Sequence, residues 1–154
     1  MAIGLAKGEC LGLIRALFQR VVVPPVVRRE VIEEAHGRPV GQELQEALGV
    51  WIDETAPAAI TVRAAIPGGG AGDQEVLALA AELGAVLLSD DAILQREADR
   101  LGISVLGAVE IVLLLKSQAA IPAVKPLLDL MQARAYYIEP SVYSQALEMA
   151  GEGH

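Results

Sequence analysis

The chain has 154 residues, 53% of them hydrophobic, with a mean hydropathy of +0.43, which makes it one domain and excludes intrinsic disorder. With 12 Lys+Arg against 20 Asp+Glu it carries a net charge of −8, so it lacks the basic surface by which a non-specific nucleic-acid coat displaces counterions. Aromatic residues at 3% are too few to build a stacking platform for single strands. The single Cys10 has no internal disulfide partner and points to a reducing compartment. No apolar run approaches the ~18 residues a membrane-spanning helix needs; Ile111–Leu115 is closed by Glu110 and Lys116. The N-terminus has no basic, apolar, small-residue signal pattern. The expectation is a cytoplasmic domain spanning 1–154 with no membrane partner, oligomeric because it is so apolar.

In chain order, 2–18 has helical apolar spacing interrupted by Gly4, Gly8 and Gly12. Val21-Val22-Val23 reads as a buried strand, stopped by Pro24-Pro25, and Pro25 suits the first position of a helix over 25–35. The spacing predicts a second helix over 42–48 and a strand over 50–53. Residues 56–72 read as irregular, with Pro67-Gly68-Gly69-Gly70 a flexible joint. A helix over 73–83 ends at Gly84, and Ala85–Leu88 is the next strand. Asp90-Asp91 opens a helix with Leu94, Ala98 and Leu101 on one face, ended by Gly102, and 103–106 is another strand. Val109–Leu115 reads as a buried helix, and helices over 123–134 and 141–150 flank Tyr136-Tyr137-Ile138. Strands separated by helices predict a three-layer α/β/α fold on a mainly parallel sheet.

Nucleophiles are poor. Cys10 lies in an apolar stretch with no His near it, and His36 and His154 support neither a triad nor a zinc site. The glycines at 68–70 and 72 follow no apolar strand and lead to no Gly-Lys-Ser/Thr, so a connector is preferred to a nucleotide-binding loop. The acids are more informative, because ligands of open parallel sheets bind at the carboxyl ends of the strands. Asp90 and Asp91 follow 85–88 directly, Asp73 and Glu75 lie in the first turn of the preceding helix, and Glu30 lies one turn on from Val26. Converging carboxylates raise each other's proton affinity, and a divalent cation relieves the repulsion. Each acid also has a plain structural role open to it. Asp90 or Asp91 can cap its helix for ~1 kcal/mol, Asp73 and Glu75 can favour the positive end of theirs, and Glu30 can belong to a solvated face.

Several stretches together resemble the PIN-domain proteins, metal-dependent ribonucleases that include the VapC toxins, and most closely a branch of short stand-alone prokaryotic members. They are Leu5-Ala6-Lys7, Val23-Pro24-Pro25-Val26-Val27 with Glu30-Val31, and Gly72-Asp73-Gln74-Glu75 before Leu77-Ala78-Leu79-Ala80. They continue through Leu87-Leu88-Ser89-Asp90-Asp91, Leu101-Gly102-Ile103, Ile121-Pro122, Lys125-Pro126-Leu127-Leu128, Tyr143 and Ala146-Leu147. The resemblance implies five parallel strands in the order 3-2-1-4-5 and an acidic site for Mg²⁺ or Mn²⁺. It maps the site acids to Glu30, Glu75 and Asp91, with Asp90 beside the last as a further metal ligand and Asp73 as a secondary acid. It implies an RNA substrate, and with no basic face in so acidic a chain the contact would fall to scattered arginines such as Arg28, Arg96 and Arg100. It also implies a toxin role with an antitoxin protein as partner, and a homodimer.

One element of the family pattern is missing. Its first strand, which ends in Asp and lies at the centre of the sheet, has no counterpart before the helix at which Met1 stands. Three explanations stand open: a start upstream of Met1, a sheet closed by other means, or a relative that keeps the scaffold without catalysis. The last makes a non-catalytic scaffold, homodimeric or antitoxin-binding, the alternative function.

Overall fold

Val21-Val22-Val23 is β-branched throughout and meets Pro24, which has no N–H to extend a ladder. In the computed structural model, which describes residues 11–34, 39–58 and 71–153, this run is strand β1 (Val21–Val23). A 3-10 helix, Leu11–Ala16, precedes it. Helix α1 (Pro25–Glu34) follows with Pro25 at its first position, as expected from a residue with preset φ and no amide to orphan. Helix α2 (Pro39–Ala47) begins at a second proline, three residues before the predicted start.

Strand β2 is Ile52–Glu54, later than the predicted 50–53. The chain is still turning at Val50 and Trp51. Gly49 sits at φ +75°, its N–H donates to the Ile52 carbonyl at 2.9 Å, and Val50 is 71% exposed. Helix α3 (Ala71–Leu83) ends at Gly84, whose φ of +60° is the left-handed region that favours glycine. Strand β3 (Leu87–Leu88) leads to α4 (Ala92–Arg100), and β4 (Val105–Leu106) to α5 (Ala108–Ser117). Helices α6 (Lys125–Ala133) and α7 (Pro140–Met149) complete the described chain.

The strands pair in two parallel ladders, β1 with β2 and β3 with β4, in the registers Val21↔Ile52 and Leu87↔Val105. Among the described residues β1 and β3 are not paired with each other. The two ladders correspond to the 3-2 and 4-5 halves of the expected order. Parallel ladders need cover on both faces, and β3 shows it. Leu87 packs into a cluster with Val27, Leu77, Leu94 and Ala98, while Leu88 packs against a second built on Ile52, Ile111, Val112, Leu115, Leu128 and Met131. Adjacent residues of a strand point to opposite faces, so the β3–β4 ladder lies between two helical layers. The fold is α/β with parallel pairing. Helix α5 is apolar on most faces because α6, α7 and the 3-10 helix all pack on it.

The C-terminal residues are tied back. The Lys116 Nζ donates to the Ala150 carbonyl at 2.5 Å and to the Glu152 carboxylate at 2.9 Å, and that carboxylate also accepts the Val124 N–H at 2.9 Å. These bonds hold the Glu152 carboxyl below the usual carboxylate range. No helix among the described residues is long and apolar enough to cross a membrane.

Candidate functional site

The carboxyl end of β3 carries Ser89, Asp90 and Asp91, and each is bound to a different part of the fold. Ser89 is buried, and its N–H continues the ladder to the Leu106 carbonyl at 3.0 Å. Its Oγ accepts the Asp91 N–H at 3.1 Å, and its carbonyl accepts the Gln95 side chain at 2.6 Å. The turn is thereby fixed from both sides.

Asp91 is the N-cap of α4. With φ −71° and ψ 117° it is extended, and its Oδ1 accepts the Leu94 N–H at 2.9 Å, one of the amides a helix start leaves without an internal partner. The side chain is exposed, and its Oδ2 has no hydrogen-bond partner among the described residues.

Asp90 turns the other way. Its Oδ1 accepts the Ala108 N–H, the first amide of α5, at 2.9 Å. The N-cap of that helix is Gly107, which has no side chain to do this itself. Glu110 returns from the first turn to accept the Gly107 N–H at 3.3 Å. The approach of Asp90 is close: a Cβ on Gly107 would lie 2.8 Å from its Oδ1. The Tyr136 phenol, from the connection between α6 and α7, stands in the field of the same carboxylate. Burial first, and then the Asp90 carboxylate, push the Tyr136 phenol above its ordinary range.

Asp73 lies in the first turn of α3, partly buried. Burial raises its proton affinity, and the charge of Asp91 raises it further. Asp73 and Asp91, in the first turn and at the cap of two helices, thus stand in each other's field. Glu75 is two residues further along α3, roughly 200° around the helix from Asp73, and is partly exposed. Glu30 is exposed on α1, which packs against α3. Among the described residues no three His, Cys, Asp or Glu side chains gather where they could hold a metal ion. The structure therefore brings Asp73 and Asp91 into one field and assigns Asp90 to α5, while Glu30 and Glu75 do not complete a three-acid cluster.

The donor set fits a hard divalent cation that keeps most of its water. Two like charges with solvent access gain from such an ion, and Mg²⁺ is commonly held by one or two carboxylates. Of the arginines, Arg28 pairs with Glu54 at 2.8 Å, and Arg100 with the largely buried Glu97 at 2.9 Å. Arg96 is exposed on α4 with no ion pair among the described residues. Cys10, His36, His154 and the glycines at 68–70 lie outside the described residues.

Sequence reading missed Ser89, Gln95, Gly107 and Tyr136. The Ser-x-Asp spacing before an apolar helix was a usable signal for Ser89, because a short hydroxyl two residues before a cap closes such turns. Nothing local marks Gly107 or Tyr136, which meet Asp90 across 17 and 46 residues of chain.

The sequence model of the family DUF3368, described as a PIN domain, matches residues 2–152. No curated protein and no solved structure matches the chain. Parallel ladders covered on both faces and acids at the carboxyl end of β3 agree with that match, and the chain belongs to the PIN-domain family, which has a nuclease-like fold.

Proposed function

We propose that this protein is a metal-dependent ribonuclease of the PIN type, acting as the toxin of a toxin–antitoxin pair. The observation that carries the reading is Asp91, capping α4 at the carboxyl end of β3 with Asp73 in its field. PIN domains generally use Mg²⁺ or Mn²⁺. Asp91 and Asp73 would hold the ion, and Glu30 and Glu75 are the further acids the family resemblance assigns to it. When bound, the ion offsets phosphate charge and lowers the pKa of water. The chain's own part is to fix Asp91 through Leu94 and Ser89, and to offer Arg96 to an RNA phosphate. The net charge of −8 is consistent with this, because a bound cation reverses the local sign. The test is cleavage of RNA by the purified protein in Mg²⁺ or Mn²⁺. The reading expects Asp91→Asn to abolish cleavage and the growth arrest caused by expression. Cleavage unchanged in that variant refutes it.

A second reading has its own support. No three acids meet among the described residues, and Tyr137 and Met149 are more than three-quarters exposed, at 79% and 77%. Both features suit a non-catalytic scaffold that self-associates or binds an antitoxin. This reading expects a stable dimer and no Mn²⁺ uptake, and a stoichiometric Mn²⁺ site contradicts it.

A further inference from the structure

We propose that Asp90 is a positioning residue, which fastens the 89–91 turn to the amino end of α5 and so holds the Asp91 cap in place at the start of α4. This rests on the cation-site reading above, and it separates two adjacent acids that the sequence presents as equals.

Asp90 already spends its Oδ1 on the Ala108 N–H at 2.9 Å. It thereby joins the β3–α4 turn to the start of α5. Gly107 makes room for it: any side chain there would begin 2.8 Å from Oδ1. The backbone at Gly107, with φ −86° and ψ 172°, is open to every residue type, so the need for glycine at this point is one of space. Asp91 is bound differently. Its Oδ1 is used locally within α4 while its Oδ2 is free of partners among the described residues. The peptide between the two acids is held by Ser89 Oγ. Rotation of the turn that released Asp90 from Ala108 would therefore carry Asp91 with it.

A ligand needs its charge, whereas an acceptor for a backbone N–H does not. Asn keeps the acceptor oxygen and loses the charge, and Ala loses both. Two readouts on the full chain separate the roles: Mn²⁺ affinity by calorimetry, and amide hydrogen exchange at Leu94, which reports the Asp91 cap without any metal. The expected result is that Asp90→Asn keeps Mn²⁺ affinity within about twofold and leaves Leu94 protected. Asp90→Ala and Gly107→Ala should each weaken Mn²⁺ on the order of tenfold, in the range for groups that orient ligands, and speed exchange at Leu94 in chains whose circular dichroism is native. If Asp90→Asn weakens Mn²⁺ as far as Asp91→Asn does, Asp90 is a ligand and the proposal is overturned. If Asp90→Ala changes neither readout, the contact is inert and the proposal is overturned as well. If the unaltered protein takes up no Mn²⁺, the cation-site reading fails. Leu94 exchange then decides the positioning role by itself, with protection unchanged in Asp90→Ala overturning it.

Discussion

Gly107→Ala isolates the contact that joins the 89–91 turn to the start of α5. The added methyl would meet Asp90 Oδ1 at 2.8 Å, against a backbone that accepts alanine without strain. The carboxylate must retreat, and the Ala108 N–H then loses its acceptor. A backbone N–H bonded to a carboxylate contributes roughly 1.5–3 kcal/mol, and loss of a helix cap costs about 0.5–2 kcal/mol. A destabilisation of about 2 kcal/mol is therefore expected. For a chain of 154 residues this lowers Tm by roughly 4–8 °C. Urea unfolding of four proteins (unaltered, Gly107→Ala, Asp90→Ala and the double variant) forms a double-mutant cycle. If the cost arises from Asp90, Gly107→Ala adds less than about 0.5 kcal/mol once Asp90 is alanine. Full additivity would refute the argument, since it would mean that the methyl is resisted by something other than that carboxylate.

Other outcomes follow from the same structure. Leu128 has no exposed surface at the centre of the larger cluster, so Leu128→Ala should cost about 2–5 kcal/mol in urea unfolding. Glu152 has a lowered proton affinity in the folded chain, so its contribution is present above the unfolded value of 4.5 and is lost as pH falls through the lower folded value. Glu152→Gln should remove that part of the acid sensitivity, as read by Tm between pH 7 and pH 3. The proton affinity of Asp73 is raised, so its charged form is disfavoured in the folded state. Asp73→Asn should accordingly raise Tm at neutral pH in the absence of divalent cations, and a fall in Tm would contradict the shared field.

The helices were legible because their signals are local. Pro25 opens α1, Asp91 caps α4, and Gly84 at φ +60° and Gly102 at φ +73° close α3 and α4. The strands were legible as apolar runs but not in their limits. Ala85–Leu88 is one uninterrupted apolar run, yet only Leu87–Leu88 forms a ladder, and Val86 is 42% exposed. Ladder length depends on the partner strand, and β4 offers Val105–Leu106 alone. Asp90 and Asp91 follow β3 directly, as strand–turn–helix order dictates, and Asp73 lies in the first turn of α3. Their division of labour was not legible. It depends on Gly107 and Tyr136, which come from elements the chain reaches only after another strand or two more helices.

The central claim is that Asp91 and Asp73 together form a cation site, and Mn²⁺ titration by calorimetry tests it most directly. The account predicts one site per chain, with affinity falling on the order of tenfold or more in both Asp91→Asn and Asp73→Asn. Binding that is absent from the unaltered protein, or that survives both substitutions unchanged, would contradict it.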